Sequence, residues 1–118
     1  MPNQVGYFEL MGPDGETQRD FYASLFGWEL EAVPGFDAYY TVGGDSIGMG
    51  GGVGKGPEGN PSYCAIYIEV DSIDDHLARI EAAGGTTVVP RTVIPDTVIF
   101  AMFADPAGNV VGLMESGG

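Results

Sequence analysis

Apolar and polar positions run through the same order twice along this chain. Val5–Met11 alternates with the two-residue period of a strand, and Pro13–Gly15 supplies turn residues. Glu16–Phe26 then changes to helical spacing, with Phe21, Tyr22, Leu25 and Phe26 on one side, and Gly27 stops it. Strand-like segments follow at Trp28–Val33, Ala38–Val42 and about Ser46–Gly52. The second half starts again with a strand at Tyr63–Val70. Ser72 and Asp75 form an S-x-x-D capping signature, and Ile73, Leu77 and Ile80 make the i, i+4, i+7 stripe of a helix ending at Gly84–Gly85. Thr86–Val93, Thr97–Ala104 and Val110–Glu115 read as three more strands. A shift of 58 positions (85 − 27) lays one glycine stop on the other and Tyr7 on Ala65.

This pattern predicts one α+β domain over residues 1–118, made of two β-α-β-β-β modules at about 5–52 and 63–115. Between them Gly50–Pro61 contains six glycines and two prolines and reads as a linker with nothing to pack. Strand parity then sorts the faces. Phe8 and Leu10 oppose Tyr7, Glu9 and Met11; Ile66, Ile68 and Val70 oppose Ala65, Tyr67 and Glu69; Val111 and Leu113 oppose Val110, Gly112 and Met114. The aliphatic and Phe set suits packing under the helices. The mixed set of Tyr, Glu, Met, Gly and Ala suits the wall of an adaptable small-molecule cavity.

Charge changes the list of partners. Four basic residues (Arg19, Lys55, Arg79 and Arg91) stand against 17 acidic ones, a net charge of −13, which repels phosphate backbones and anionic lipid. The expectation is therefore no nucleic acid and no membrane surface; cationic small molecules are attracted instead, and solubility alone also accounts for the charge. No apolar run approaches the ~20 residues of a membrane span. The start, Met1–Leu10, lacks the basic-then-apolar pattern of a secretory signal, and the single Cys64 permits no internal disulfide, so a cytoplasmic location is expected.

Three segments carry a family resemblance. Asp20–Leu30 (DFYASLFGWEL) resembles the end of the first helix in the vicinal oxygen chelate superfamily, which includes glyoxalases, bleomycin-resistance proteins, fosfomycin-inactivating enzymes and extradiol dioxygenases. Val70–Gly85 resembles its second helix, and Phe103–Glu115 (FADPAGNVVGLME) its closing turn and last strand. The resemblance implies paired β-α-β-β-β modules whose curved sheets form a cup around a ligand, commonly in a homodimer. It also implies where a metal would be held: the positions matching the family's ligands are Tyr7, Ala65 and Gly112, with a fourth near Met49. A transition metal needs three or four N, O or S donors at about 2.0–2.3 Å, and two of these residues have no donor atom. No metal and no cofactor are therefore expected.

Other chemistry is sparse. Glu9 and Glu69 share the mixed face by parity and are the candidate catalytic residues, either as acid/base groups or as partners for a cation. Tyr7, Tyr40 and Tyr67 either hydrogen-bond a ligand or simply form wall. The run Gly48–Gly56 fails as a phosphate loop, because Met49 stands where the leading glycine belongs and Gly56 where Ser or Thr does. His76, the one histidine, reads as a solvated helix residue, Cys64 as a small buried hydrophobe, and Trp28 as an anchor of the first helix against the sheet. The expected function is metal-free binding of a small organic molecule, with antibiotic sequestration as its specific form. The expected ligand contacts are Tyr7, Glu9, Tyr40 and Met49 from one module and Ala65, Tyr67, Gly112 and Met114 from the other, Ala65 and Gly112 leaving space. The alternative is a lyase or isomerase using a cavity carboxylate or relocated metal ligands; a third option is a protein-interaction role for the acidic surface.

Overall fold

The computed structural model describes residues 2–115, an α+β chain of strands β1 (Val5–Gly12), β2 (Glu31–Ala32), β3 (Tyr39–Val42), β4 (Gly51–Lys55), β5 (Tyr63–Val70), β6 (Thr86–Ile94), β7 (Val98–Ala104) and β8 (Val110–Glu115), with helices α1 (Gly15–Phe26), α2 (Gly44–Ile47) and α3 (Ile73–Ala82). It divides into two compact units. The first is Tyr7–Ala65; the second comprises the described residues of Met1–Gly6 and Ile66–Gly118.

In the first unit the strand order is β2-β3-β4-β1, with β4 parallel to β1 and antiparallel to β3. Helix α1 starts where Asp14 accepts a hydrogen bond from the Thr17 N–H at 3.1 Å, which satisfies one otherwise unpaired amide. It stops at Gly27, whose φ of 72° is the left-handed turn that glycine adopts without penalty. Trp28 folds back onto the helix end, stacked on Tyr22 at 5.5 Å and tilted against Phe8 of β1 at 5.7 Å, so it is the expected anchor. Much of the predicted apolar side of α1 stays open: Phe21, Leu25 and Phe26 are all exposed.

Three expectations fail here. The strand predicted at about Ser46–Gly52 is displaced: Gly44–Ile47 forms a helical turn, and the strand begins at Gly51. Much of the supposed linker at 50–61 is thus a strand, β4, whose first four residues are buried. It packs although it is nearly all glycine because its neighbours supply the side chains. A Cβ at Gly51 would strike the Phe8 ring, and one at Gly52 would strike the Tyr39 and Tyr7 hydroxyls. The segment Trp28–Val33 also contributes only the short β2.

In the second unit the order is β5-β8-β7-β6, with β5 parallel to β8 and the others antiparallel. Ser72 caps α3 by accepting from the Asp75 N–H at 3.2 Å, as the S-x-x-D spacing predicts. The Glu115 carboxylate at the end of β8 accepts the Ile73 N–H at 2.8 Å, tying the helix start to the sheet. Beneath α3 lies an apolar core: Val70, Ile73, Leu77, Ile99, Ala101, Phe103 and Leu113, with Ile68, Ile80 and Val111 against it. Parity places Ile68, Val70, Val111 and Leu113 correctly on this side. Ile66, on the same side by parity, is exposed, and Cys64 is likewise exposed rather than buried.

Candidate functional site

Strand register builds the polar centre of the first unit. Glu9 of β1 lies beside Gly52 of β4, which lies beside Thr41 of β3; one step along, Met11, Gly54 and Tyr39 form the next row. Laterally paired residues point to the same side of a sheet, and residues two apart do so as well. Tyr39 therefore shares a face with Glu9, Met11 and Tyr7. Tyr40 pairs through Val53 with Leu10 and points the opposite way.

On that face Glu9 is buried, 8% exposed, and both of its oxygens accept from tyrosines. The Tyr39 hydroxyl donates to Oε2 at 2.7 Å and the Tyr63 hydroxyl to Oε1 at 3.2 Å. The Tyr7 and Tyr39 oxygens are 2.7 Å apart. Burial pushes all three phenols above the ordinary tyrosine range; the negative charge of Glu9 adds to the rise, and for Tyr7 the bond to Tyr39 partly opposes it. The phenols are therefore neutral donors. They supply the bonds that a buried carboxylate requires, and no buried side-chain nitrogen or oxygen among the described residues is left without a partner.

The remaining expected residues are placed as follows. Tyr40 is on the helix side, where its hydroxyl accepts from Arg19 Nη1 at 3.2 Å and its ring lies under the guanidinium at 4.9 Å. That corrects its expected place beside Tyr7, and the reason is register: in a four-residue strand, neighbours decide which side chain faces which way. Met49 lies in the turn before β4, half-buried, and the strand residue opposite Glu9 is Gly52 instead. Ala65 is buried at the first unit's end of β5.

In the second unit Tyr67, Gly112 and Met102 form one row. The space beside Gly112 is not left open, contrary to expectation. The Tyr67 ring fills it, so that a Cβ at Gly112 would collide with ring atoms, and the Tyr67 hydroxyl reaches Met102 Sδ at 3.8 Å. Met114 borders a depression of about 440 Å³ shared with Val93, Asp96 and Val98. Glu69 is exposed; its backbone N–H donates to the Gln4 carbonyl at 2.8 Å and its carbonyl accepts from Asn3 Nδ2 at 3.0 Å.

Two members of the polar cluster, Tyr39 and Tyr63, are absent from the sequence reading. Tyr63 carried a usable signal, since it is two residues before Ala65 on the same parity. Tyr39 carried none without the register of β3 on β4.

The profile of the Glyoxalase/Bleomycin resistance protein/Dioxygenase superfamily matches residues 4–113. The chain belongs to this superfamily. Its relatives include the anthracycline biosynthesis protein DnrV of Streptomyces peucetius, 29% identical with 98% of this chain and 48% of that protein covered. Another is CFP32 of Mycobacterium tuberculosis, which bears a provisional glyoxylase name and is 32% identical over 98% of this chain and 45% of its own length. The chain thus spans about half the length of these relatives. Among solved structures, a superfamily member from Vibrio splendidus matches with a TM-score of 0.65 at 14% identity, covering 97% of this chain and 98% of that one. A methylmalonyl-CoA epimerase matches with a TM-score of 0.62 at 13% identity, covering 99% and 96%. At these identities the structures establish the shared fold.

Membership raises the metal question again, and the donor chemistry answers it for the positions implied by the resemblance. Ala65 and Gly112 offer no donor atom, and the Tyr7 phenol is hydrogen-bonded to Tyr39. Among the described residues no three His, Cys, Asp or Glu side chains are grouped to hold an ion. These residues do not fit the family's metal. No helix among the described residues is long and apolar enough to cross a membrane.

Proposed function

We propose that this chain binds a small organic molecule on the face of the first unit that carries Glu9, Tyr7, Tyr39 and Tyr63, through side chains alone. One observation carries this reading: a carboxylate 8% exposed, with a tyrosine hydroxyl on each oxygen, on a face that also carries Met11, Thr41, Gly52 and Gly54. A few convergent polar groups on an apolar, glycine-relieved surface are what a ligand site needs for orientation. Sequestration of an antibiotic is the narrower form of the proposal. The superfamily's description includes bleomycin resistance proteins, and one relative is named for anthracycline biosynthesis.

The test is a thermal-shift panel of glycopeptide antibiotics, anthracyclines and aromatic metabolites. A true ligand at 100 times its Kd adds about 2.7 kcal/mol of stability. That gain should be lost in the Tyr39→Phe Tyr63→Phe double variant while the unliganded melting curve stays cooperative. A panel without any shift, or a shift that the double variant keeps, would overturn the proposal.

A second reading rests on the same carboxylate. Buried and linked to a chain of phenols, Glu9 is placed to take a proton from a bound carbon acid, as a lyase or isomerase requires. Glu69, exposed in the other unit, lacks that setting. Solvent-deuterium exchange into a bound ligand, lost in Glu9→Gln, would favour this reading over plain binding.

A further inference from the structure

The hairpin that joins β6 to β7 in the second unit turns through Ile94–Thr97, closed by the Thr97 N–H on the Ile94 carbonyl at 3.0 Å. Pro95 stands second in this turn and Asp96 third, at φ 59°. A turn with proline second and a positive φ third calls for glycine or asparagine at the third place, so Asp96 holds a backbone conformation that is costly for most side chains. The same residue lines the depression of about 440 Å³ that Met114 borders, a volume in the range of small-molecule sites.

The rest of that lining combines apolar wall with negative charge. Val93, Val98, Ile99 and Met114 supply the wall, and Val93 is 53% exposed. Both charged residues of the lining are carboxylates, Asp96 and Glu115. Glu115 is occupied: it accepts from Arg91 at 2.9 Å and from the Ile73 N–H at 2.8 Å. Asp96 is exposed and takes part in none of the ion pairs among the described residues, which join Arg19 to Asp20, Lys55 to Asp37 and Arg91 to Glu115. Arg91 directs both Nε and Nη2 at Glu115, and Arg79, the unit's other arginine, is not part of the lining. An anion entering here meets two carboxylates, whereas a cation meets one that is free to pair.

We propose that this depression is a second small-molecule site, taking an organic cation whose apolar body covers Val93, Val98 and Met114 and whose ammonium group pairs with Asp96. It uses residues of the second unit alone and does not depend on binding at the Glu9 face. An exposed ion pair contributes little by itself, so the apolar body supplies most of the affinity and the charge sets the selectivity.

The experiment uses the full chain with 13C-methyl methionine, since Met114 reports on the depression and Met11 on the Glu9 face. Phenethylammonium, 2-phenylethanol and 3-phenylpropionate are titrated in about 150 mM salt, which screens long-range charge. Phenethylammonium should move the Met114 methyl signal saturably and bind about fivefold tighter than 3-phenylpropionate, the scale of one exposed ion pair. Asp96→Asn keeps a residue suited to the turn and should bring the two within about twofold, with 2-phenylethanol unchanged. Glu58→Gln removes the same charge at an exposed position of the first unit and should leave the preference intact. Equal or tighter binding of the propionate, or a preference that survives Asp96→Asn, would overturn the proposal. A preference that falls equally in Glu58→Gln would assign it to overall charge and overturn it as well. Movement of Met11 without Met114 would overturn this site and leave the Glu9 face standing, and movement of Met114 without Met11 would support this site whatever the fate of that face.

Discussion

The first unit places a carboxylate and three phenols in its sheet, where the second places Tyr67 flat beside Gly112 and Met102. The local device is the same. A strand glycine, Gly52 in one and Gly112 in the other, gives its side-chain volume to a tyrosine from another strand. The Tyr39 hydroxyl donates to Glu9 Oε2, and the Tyr67 hydroxyl reaches a thioether sulfur. The helix sides differ as well. Helix α3 covers a closed apolar cluster, while α1 buries Gly15 alone and leaves much of its aromatic stripe exposed. The two halves of the repeat thus differ in what they bury, an apolar cluster beneath α3 in the second unit and a carboxylate bonded by phenols in the first.

The largest expected effect tests that difference. Leu113→Ala, in the fully packed cluster, should cost about 2–5 kcal/mol in urea unfolding. Phe8→Ala in the first unit, at a half-buried ring beside Trp28, should cost clearly less; an equal cost would break the comparison. Next come the two glycines. Gly112→Ala drives a Cβ into the Tyr67 ring and should cost about 1–3 kcal/mol. Gly52→Ala meets first the Tyr39 hydroxyl, so Tyr39→Phe should recover part of its loss, and a double-mutant cycle on melting temperature reads that coupling.

A smaller effect depends on pH. In the second unit Arg91, at 2.9 Å, and the Ile73 N–H hold the Glu115 carboxyl below the usual carboxylate range. A group with a depressed folded pKa contributes stability above its unfolded pKa and loses it as pH falls through the folded value. The advantage of the native chain over Glu115→Gln should therefore be constant near neutrality and shrink as pH drops below the ordinary glutamate value. An advantage that persists in acid would mean that Glu115 acts through packing rather than charge. The smallest change is Ala38→Gly. Ala38 enters β3 at φ 48°, a left-handed conformation that costs alanine but not glycine, so the substitution should stabilise the first unit by up to about 1 kcal/mol.

Most of the second unit was legible from local pattern. The S-x-x-D cap, the Ile73–Leu77–Ile80 stripe and the last three strands follow from residues near one another in sequence, and the structure places them within one or two positions of expectation. The Asp105 turn likewise closes on itself, its carboxylate accepting from the Ala107 and Asn109 amides at 3.0 Å and 2.9 Å. The first unit was less legible because its decisive contacts are non-local. Glycines 51, 52 and 54 look like a linker until Phe8, Tyr7 and Tyr39 are brought over them.

The sequence by itself determined the doubled plan of strand, helix and strands, the limits of α1 and α3, the family, and the presence of Glu9 and Tyr7 on one face. Those depend on period, capping and turn chemistry, which act over a few residues. Tertiary structure alone decided that a glycine run is a buried strand, that Tyr39 rather than Tyr40 meets Glu9, and that Tyr67 fills the space beside Gly112. Each of these turns on which strand lies beside which and in what register. A one-residue step in register exchanges the two faces of a strand, and no local pattern fixes that step when the neighbour is glycine.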